Sequence, residues 1–192
     1  MALKLHTVIC STREGRQGPP VARWFHEQAT QHAKFACELI DLAAFGLPVF
    51  DEPKHPRLRQ YEHDHTKHWS ESVEAADAFA FVTPEYNYFA VPALVNALNY
   101  LVAEWAYKPA ALVSYGGASG GMRGAQAVKP LLTTLKIMPM QEGVAVPMFS
   151  QHIGEDGVFR PSEPIIKSVT PMLDELHRWA EPLKPMRERQ GG

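Results

Sequence analysis

Residues 78–83, Ala-Phe-Ala-Phe-Val-Thr, offer water almost no polar face. A short run that is apolar almost throughout fits a strand buried on both sides, the place of a central strand in a parallel sheet. It ends at once in Thr83-Pro84-Glu85-Tyr86-Asn87, a polar and aromatic loop, and Pro92 then opens an amphipathic stretch. Strand, exposed loop and helix start are thus packed into residues 81–99. In open α/β sheets, ligands bind outside the carboxyl ends of the strands, which is where this loop sits.

Four further runs read as strands: residues 4–10, 35–42, 109–114 and 142–147. Helical spacing fills the gaps. Val21, Trp24, Phe25 and Ala29 share a face behind Pro19 and Pro20, which suit a first turn. Trp69, Val73 and Ala76 mark a helix over about 60–77. Val91, Leu94, Val95, Leu98, Leu101 and Val102 form the cleanest amphipathic pattern. Val128, Leu131, Leu132 and Leu135 mark a fourth helix. Ile165, Val169, Met172, Leu173, Leu176, Trp179 and Leu183 mark a fifth, with a kink or restart expected at Pro171. Residues 48–56 hold three prolines and read as a flexible flap.

Strand and helix alternate five times. That predicts one α/β domain over residues 1–183, a three-layer sandwich with a five-stranded parallel sheet in the flavodoxin-like order 2-1-3-4-5. Residues 184–192 read as a disordered tail. The crevice opens between strands one and three, and the loops after strands one, three and four converge there.

Composition narrows the function classes. The chain has 192 residues and a formal net charge of -2, and no Lys/Arg cluster marks a face. No nucleic-acid partner is therefore expected. Cys10 and Cys37 form no Cys-x-x-Cys pair, so neither a structural zinc nor an iron–sulfur cluster is expected. No disulfide framework is expected either, and a cytoplasmic, reducing location follows. No apolar run reaches about 18 residues, so no membrane insertion is expected. Small molecules are the expected partners.

The three loops suggest which ones. Ser11, Thr12 and Arg13, with Arg16, Gln17 and Gly18 behind them, precede a helix. Hydroxyls, guanidiniums and helix N-terminal amides are what a phosphate monoester needs. The loop is neither a Walker loop nor a Gly-x-Gly-x-x-Gly dinucleotide loop. A polar surface loop with a Ser cap is the plainer alternative. In the second loop Pro84 fixes backbone direction, Tyr86 or Tyr88 can cover an aromatic ring, and Asn87 can bond along a heterocycle edge. In the third, Tyr115 precedes Gly116-Gly117 and Gly120-Gly121, whose backbone can approach a ligand closely. Their amides can face the N1–O2 edge of a flavin, where the reduced ring is negative. Tyrosines packing on neighbours and a flexible turn are the plainer alternatives for these two. Together, the loops read as a flavin site with its floor at Pro84, Glu85, Tyr86 and Asn87.

Three blocks occur in order across residues 4–147: Cys10-Ser11-Thr12-Arg13 with Arg16; Thr83-Pro84-Glu85-Tyr86-Asn87 with Pro92-Ala93-Leu94-Val95-Asn96-Ala97-Leu98-Asn99; and Tyr115-Gly116-Gly117-Ala118-Ser119-Gly120-Gly121 with Arg123. In these the sequence resembles the NAD(P)H-dependent FMN reductase family, the group of flavodoxin-like quinone, chromate and azo reductases. The resemblance implies FMN held by Ser11, Thr12, Arg13, Arg16, Gln17, Gly18, Pro84, Glu85, Tyr86, Asn87, Tyr115, Gly116 and Gly117. It implies ping-pong hydride transfer from NADPH or NADH to FMN N5, then onward to a quinone, azo compound, metal ion or free flavin. It also implies a homodimer or homotetramer with FMN near the subunit interface. The chemistry needs no side-chain acid or base, so Glu85 is not expected to act as one.

The chain departs from the family pattern at three places. Cys10 stands for glycine, Asn99 for aspartate, and Tyr88-Phe89 for two small residues. Large rings at 88 and 89 could narrow the pocket or reshape the subunit contact. A flavodoxin-type one-electron carrier is the alternative, but Thr-x-Thr-Gly-x-Thr and a strongly acidic surface are both missing; a regulatory FMN-binding protein is another. His55, His63, His65 and His68 gather near Asp64. Helical spacing puts 65 and 68 on one face and leaves 63 off it, so a solvated face is expected rather than a metal site.

Overall fold

The computed structural model describes residues 2–188. The elements are β1 (Leu3–Ile9), α1 (Gly18–His32), β2 (Phe35–Asp41), α2 (Asp64–Ala75), β3 (Ala78–Tyr86), β4 (Phe89–Ala90), α3 (Pro92–Asn99), β5 (Pro109–Tyr115), α4 (Met122–Thr134), β6 (Met138–Val146) and α5 (Glu163–Glu188). Five strands pair in parallel in the order β2-β1-β3-β5-β6. The two-residue β4 folds back antiparallel on the end of β3. With that hairpin arm set aside, the order is the expected flavodoxin-like one.

β3 is buried on both faces, and its residues divide the core. Ala78, Ala80 and Val82 face the layer of α1 and α5, with Leu5, Phe25 and Leu173. Phe79 and Phe81 face the opposite layer, stacked at 5.5 Å beside Trp105 and near Trp69. The register sets Ile9 beside Val82 and Thr83 beside Ser114. The carboxyl ends of β1, β3 and β5 are therefore level, and their loops leave on the same side.

Several boundaries differ from those read in the sequence. α2 starts at Asp64, not near 60, because Glu52 accepts hydrogen bonds from the Glu62 and His63 amides and holds them outside the helix. α3 stops at Asn99, and the apolar pattern runs past its end because Leu101 is fully buried within the following turn. β6 starts at Met138 and carries a register shift opposite Ala110/Leu112, so its first residues lack the steady alternation of a strand.

α5 is one element through Pro171 rather than two. The proline removes one backbone bond, but Val169, Met172, Leu173 and Leu176 stay buried on the same face. Residues 184–188 of the expected tail continue this helix: Lys184 lies 3.4 Å from the Asp77 carboxylate, and Arg187 pairs with Asp77 and donates to Tyr107 O at 3.1 Å. Residues 189–192 lie outside the described residues. Among the described residues no helix is long and apolar enough to cross a membrane.

Candidate active site

The level strand ends enclose a cavity of about 170 Å³. Arg13 and Gln17 line it from the first loop, Pro84, Glu85 and Tyr86 from the second, and Tyr115, Gly116 and Gly117 from the third. Phe149, in the loop after β6, closes it and meets the Tyr115 ring edge-on at 5.2 Å. The sequence reading passed over Phe149; its place just beyond the carboxyl end of a strand was the available signal.

The remaining residues read as site members stand behind or beside this cavity. Ser11 is buried and accepts a hydrogen bond from the Tyr115 hydroxyl at 3.2 Å. Gly18 leaves room for that pair: a Cβ there would fall 2.4 Å from Ser11 Oγ and 2.7 Å from Tyr115 Oη. Arg16 turns away from the cavity. It donates to Asp41 at 2.6 and 2.5 Å and to the Ser11 carbonyl at 2.7 Å. Its guanidinium holds the Asp41 carboxyl below the usual carboxylate range. Arg13 is the exposed cation of the loop, and its Nε donates to the Tyr86 hydroxyl at 3.2 Å.

The amides of Thr12, Glu14, Gly15 and Gln17 make no hydrogen bond among the described residues. Pro19 and Pro20, in the first turn of α1, have no N–H to offer. An anion at this end would thus meet the loop amides and Gly18, with less help from the helix than its dipole alone suggests.

Glu85 has a different task from the one its position suggests. The residue before α4 is Gly121, which has no side chain to cap the helix. The Glu85 carboxylate supplies that cap from the end of β3, accepting from the Arg123 and Gly124 amides at 3.1 and 3.4 Å and from Ser119 Oγ at 3.0 Å. Arg123 Nε donates to its other oxygen at 2.7 Å, and this bond holds the Glu85 pKa below the usual range. The carboxylate is spent on α4, which leaves the Glu85 backbone to the cavity.

Asn87 and Tyr88 are the two-residue loop of the β3–β4 hairpin, at φ +50° and +67°. Two successive positive φ values mark the turn whose twist suits a hairpin, for which Asn followed by Gly is preferred. Tyr88 holds the glycine position at a cost of about 1–2 kcal/mol. Arg123 lies 3.5 Å from the centre of its ring.

The Gly-Gly loop is tied from behind. Gly116 N–H donates to Val146 O at 3.2 Å, and the carbonyls of Gly116 and Gly117 accept from Phe149 and Met148 at 3.1 and 2.9 Å. The Gly116 amide, read as a donor to a ligand, is therefore already used. Among the described residues, the Gly117 amide makes no bond, and a Cβ at Gly117 would have no atom within 4 Å.

A groove of about 820 Å³ lies beside the cavity. Thr12, Phe50, Phe89, Pro92 and Ala93 are among its lining, and no charged side chain is. Its outer wall, the segment read as a flap, is tied to α3. Asn96 donates to Pro48 O at 2.6 Å and accepts from Phe50 N–H at 3.0 Å. The Tyr100 hydroxyl lies 3.0 Å from Pro48 O and 2.9 Å from the Asp51 carboxylate.

The histidines arrange themselves differently from a helix face. His63 precedes α2 in an extended conformation, so helical spacing does not govern it. Its ring stacks on His65 at 5.2 Å, and His65 Nε2 lies 3.0 Å from Asp51. Among the described residues no three His, Cys, Asp or Glu side chains converge as a metal site.

A sequence profile of the NADPH-dependent FMN reductase family matches residues 3–151. An NAD(P)H-dependent FMN reductase of Schizosaccharomyces pombe is 34% identical over 79% of this chain and 84% of its own length. One from Saccharomyces cerevisiae is 32% identical over 75% and 80%. Among solved structures, a flavoenzyme NAD(P)H:(acceptor) oxidoreductase from Paracoccus denitrificans superposes with a TM-score of 0.74 over 94% of this chain and 98% of that one, at 19% identity. The chain belongs to the NADPH-dependent FMN reductase family.

Proposed function

We propose that this chain holds FMN across the three loops and uses it to oxidise NADPH or NADH and reduce a small acceptor, the two substrates taking turns at one face. The observation that carries this is the cavity itself: three loops meet there with unspent backbone donors and one exposed arginine. The residues fit the cofactor. The free amides of Thr12, Glu14, Gly15 and Gln17, with Arg13, suit a phosphate; the Gly117 amide and the open space over it suit the polar edge of a flat ring. FMN, when bound, supplies the hydride chemistry between nucleotide and acceptor.

The chain's own part is placement. Tyr115 fixes Ser11, and the Arg16–Asp41 pair braces the loop that presents the amides. Pro84, the Glu85 backbone and Tyr86 form the floor. Phe149 and Tyr115 keep water from the inner edge. The charge-free groove beside the cavity favours a flat, uncharged acceptor such as a quinone over an anion or a metal ion, since ions entering it would lose hydration without a partner. Val49 and Phe89 are exposed apolar groups in its lining, and Tyr88 is exposed next to Phe89 in the chain; a second copy packing there would give the expected homodimer or tetramer.

The purified protein should turn yellow with FMN. Anaerobic titration with NADH and NADPH should bleach it, and initial rates against 2-methyl-1,4-naphthoquinone should give parallel double-reciprocal lines. Failure to bind FMN would overturn the reading; intersecting lines would remove the shared face.

A further inference from the structure

Tyr88 holds a backbone conformation that favours glycine, and α4 keeps it there. The Arg123 guanidinium lies 3.5 Å from the centre of the Tyr88 ring. Arg123 is itself fixed, by Glu85 at 2.7 Å and Ser119 at 3.0 Å. Gly124, next on α4, sits so close to the hairpin that a Cβ there would fall 2.7 Å from the Phe89 carbonyl oxygen. The hairpin tip is thus held from outside by one helix end, through a stacked cation, a carboxylate and direct backbone contact. Such over-determination is what allows a costly conformation to persist.

The tip matters because of its neighbours. Tyr86 and Phe89 are opposite each other in the β3–β4 pair and share a face. Tyr86 lines the cavity and Phe89 lines the groove. Phe89 is 56% exposed and makes no ring contact among the described residues, so the backbone of the turn sets the direction in which its ring leaves the chain and with it the rotamers that reach the groove. Tyr88 lines neither space. Glycine at 88 would form the turn at lower cost, so turn formation alone does not account for a tyrosine.

We propose that Tyr88 and Arg123 are positioning residues for acceptor selection, their stack fixing the hairpin tip so that Phe89 stands as a wall of the groove against a flat aromatic acceptor. This rests on the reading that the groove admits the acceptor to an FMN site.

The test uses FMN-loaded full-length protein with Tyr88→Gly, Tyr88→Asn and Tyr88→Phe. Asparagine tolerates the left-handed backbone and serves if the glycine variant folds poorly; phenylalanine keeps the ring over Arg123. In the first two variants, FMN affinity and bleaching by nucleotide should stay within about twofold of wild type. Their KM for 2-methyl-1,4-naphthoquinone should rise about fivefold or more, with kcat changing less than about twofold. The dissociation constant of the same quinone, read by quenching of protein fluorescence in the oxidised enzyme, should rise in parallel. Tyr88→Phe should restore both. An unchanged KM and dissociation constant, in variants that bind FMN and bleach normally, would overturn the proposal, as would an equal rise in Tyr88→Phe. Wild-type protein that binds no FMN would instead overturn the underlying reading.

Discussion

Arg16 and Asp41 form a two-pronged ion pair, with Nη1 2.6 Å from Oδ1 and Nη2 2.5 Å from Oδ2. The same Nη1 donates to the Ser11 carbonyl. The pair ties the first loop to the end of β2, so in the proposed site Arg16 would act on a phosphate through the shape of the loop. Asp41→Asn and Arg16→Gln should each cost about 1–2 kcal/mol of stability, since the pair is partly screened. Each should weaken FMN binding, and the double variant should be little worse than either. If Arg16 touched the phosphate directly, Asp41→Asn would free it and leave or improve affinity; fluorescence titration separates the two outcomes.

The same pair has a pH signature. Arg16 lowers the folded pKa of Asp41, so its contribution is fully present above the unfolded value of about 3.9 and is lost as pH falls through the folded value. Urea unfolding between about pH 6 and pH 3 should show a shallower loss of stability in Asp41→Asn than in wild type.

Two glycines at the site should behave in opposite ways. A Cβ at Gly18 would drive apart Ser11 and Tyr115, so Gly18→Ala should lower both stability, by about 1–3 kcal/mol, and FMN affinity. A Cβ at Gly117 meets no atom within 4 Å among the described residues, so Gly117→Ala should leave the melting temperature nearly unchanged. Its loss should appear only in FMN affinity. A Gly117→Ala variant that binds FMN as wild type does would remove this amide from the site.

The order of the long strands was readable because each is a short apolar run bounded by turn residues. The loops that meet at the cavity were readable because topology alone brings the carboxyl ends of β1, β3 and β5 together. What individual side chains do was less accessible. Arg16 lies next to its partner only because β1 and β2 pair with Ile9 opposite Asp41, a register that the sequence pattern does not specify. Glu85 sits between Pro84 and Tyr86 in the cavity lining, yet its carboxylate answers a need created at Gly121, where a helix starts without a cap. His63 stacks on His65 from outside α2, where helical spacing does not govern its position. Each case is a pairing between distant segments, which periodicity cannot report.

Lys108 should make stability rise with pH in a range where most proteins gain nothing. It is 3% exposed, its ammonium donates to the Val73 and Glu74 carbonyls at the end of α2, and burial pushes its pKa down to about 8. Unfolded lysine titrates near 10.4. Between the two values the unfolded chain binds the extra proton, so the folded state is favoured increasingly as pH rises from about 8 to 10. The gain should be on the order of 2–3 kcal/mol. Guanidinium unfolding across this range should show the rise in wild type and its absence in Lys108→Met. Equal slopes would mean that the ammonium keeps its proton.

The contact between Gly124 and the hairpin should be unforgiving. A Cβ there would lie 2.7 Å from Phe89 O, 3.2 Å from Phe89 C and 3.3 Å from Glu85 Cα, all backbone atoms. No rotamer change can relieve that, so either α4 retreats or the hairpin does. If α4 retreats, Glu85 loses the Arg123 and Gly124 amides it caps; if the hairpin moves, Tyr86 leaves the cavity edge. Gly124→Ala should therefore cost about 1–3 kcal/mol and also weaken FMN binding, since both escapes disturb the β3 end. Ala125, one residue on and also buried, supplies the comparison. Ala125→Gly should cost about 1 kcal/mol through helix propensity and leave FMN affinity within about twofold. A Gly124→Ala variant with wild-type melting and wild-type FMN affinity would show that the hairpin and α4 are free to part.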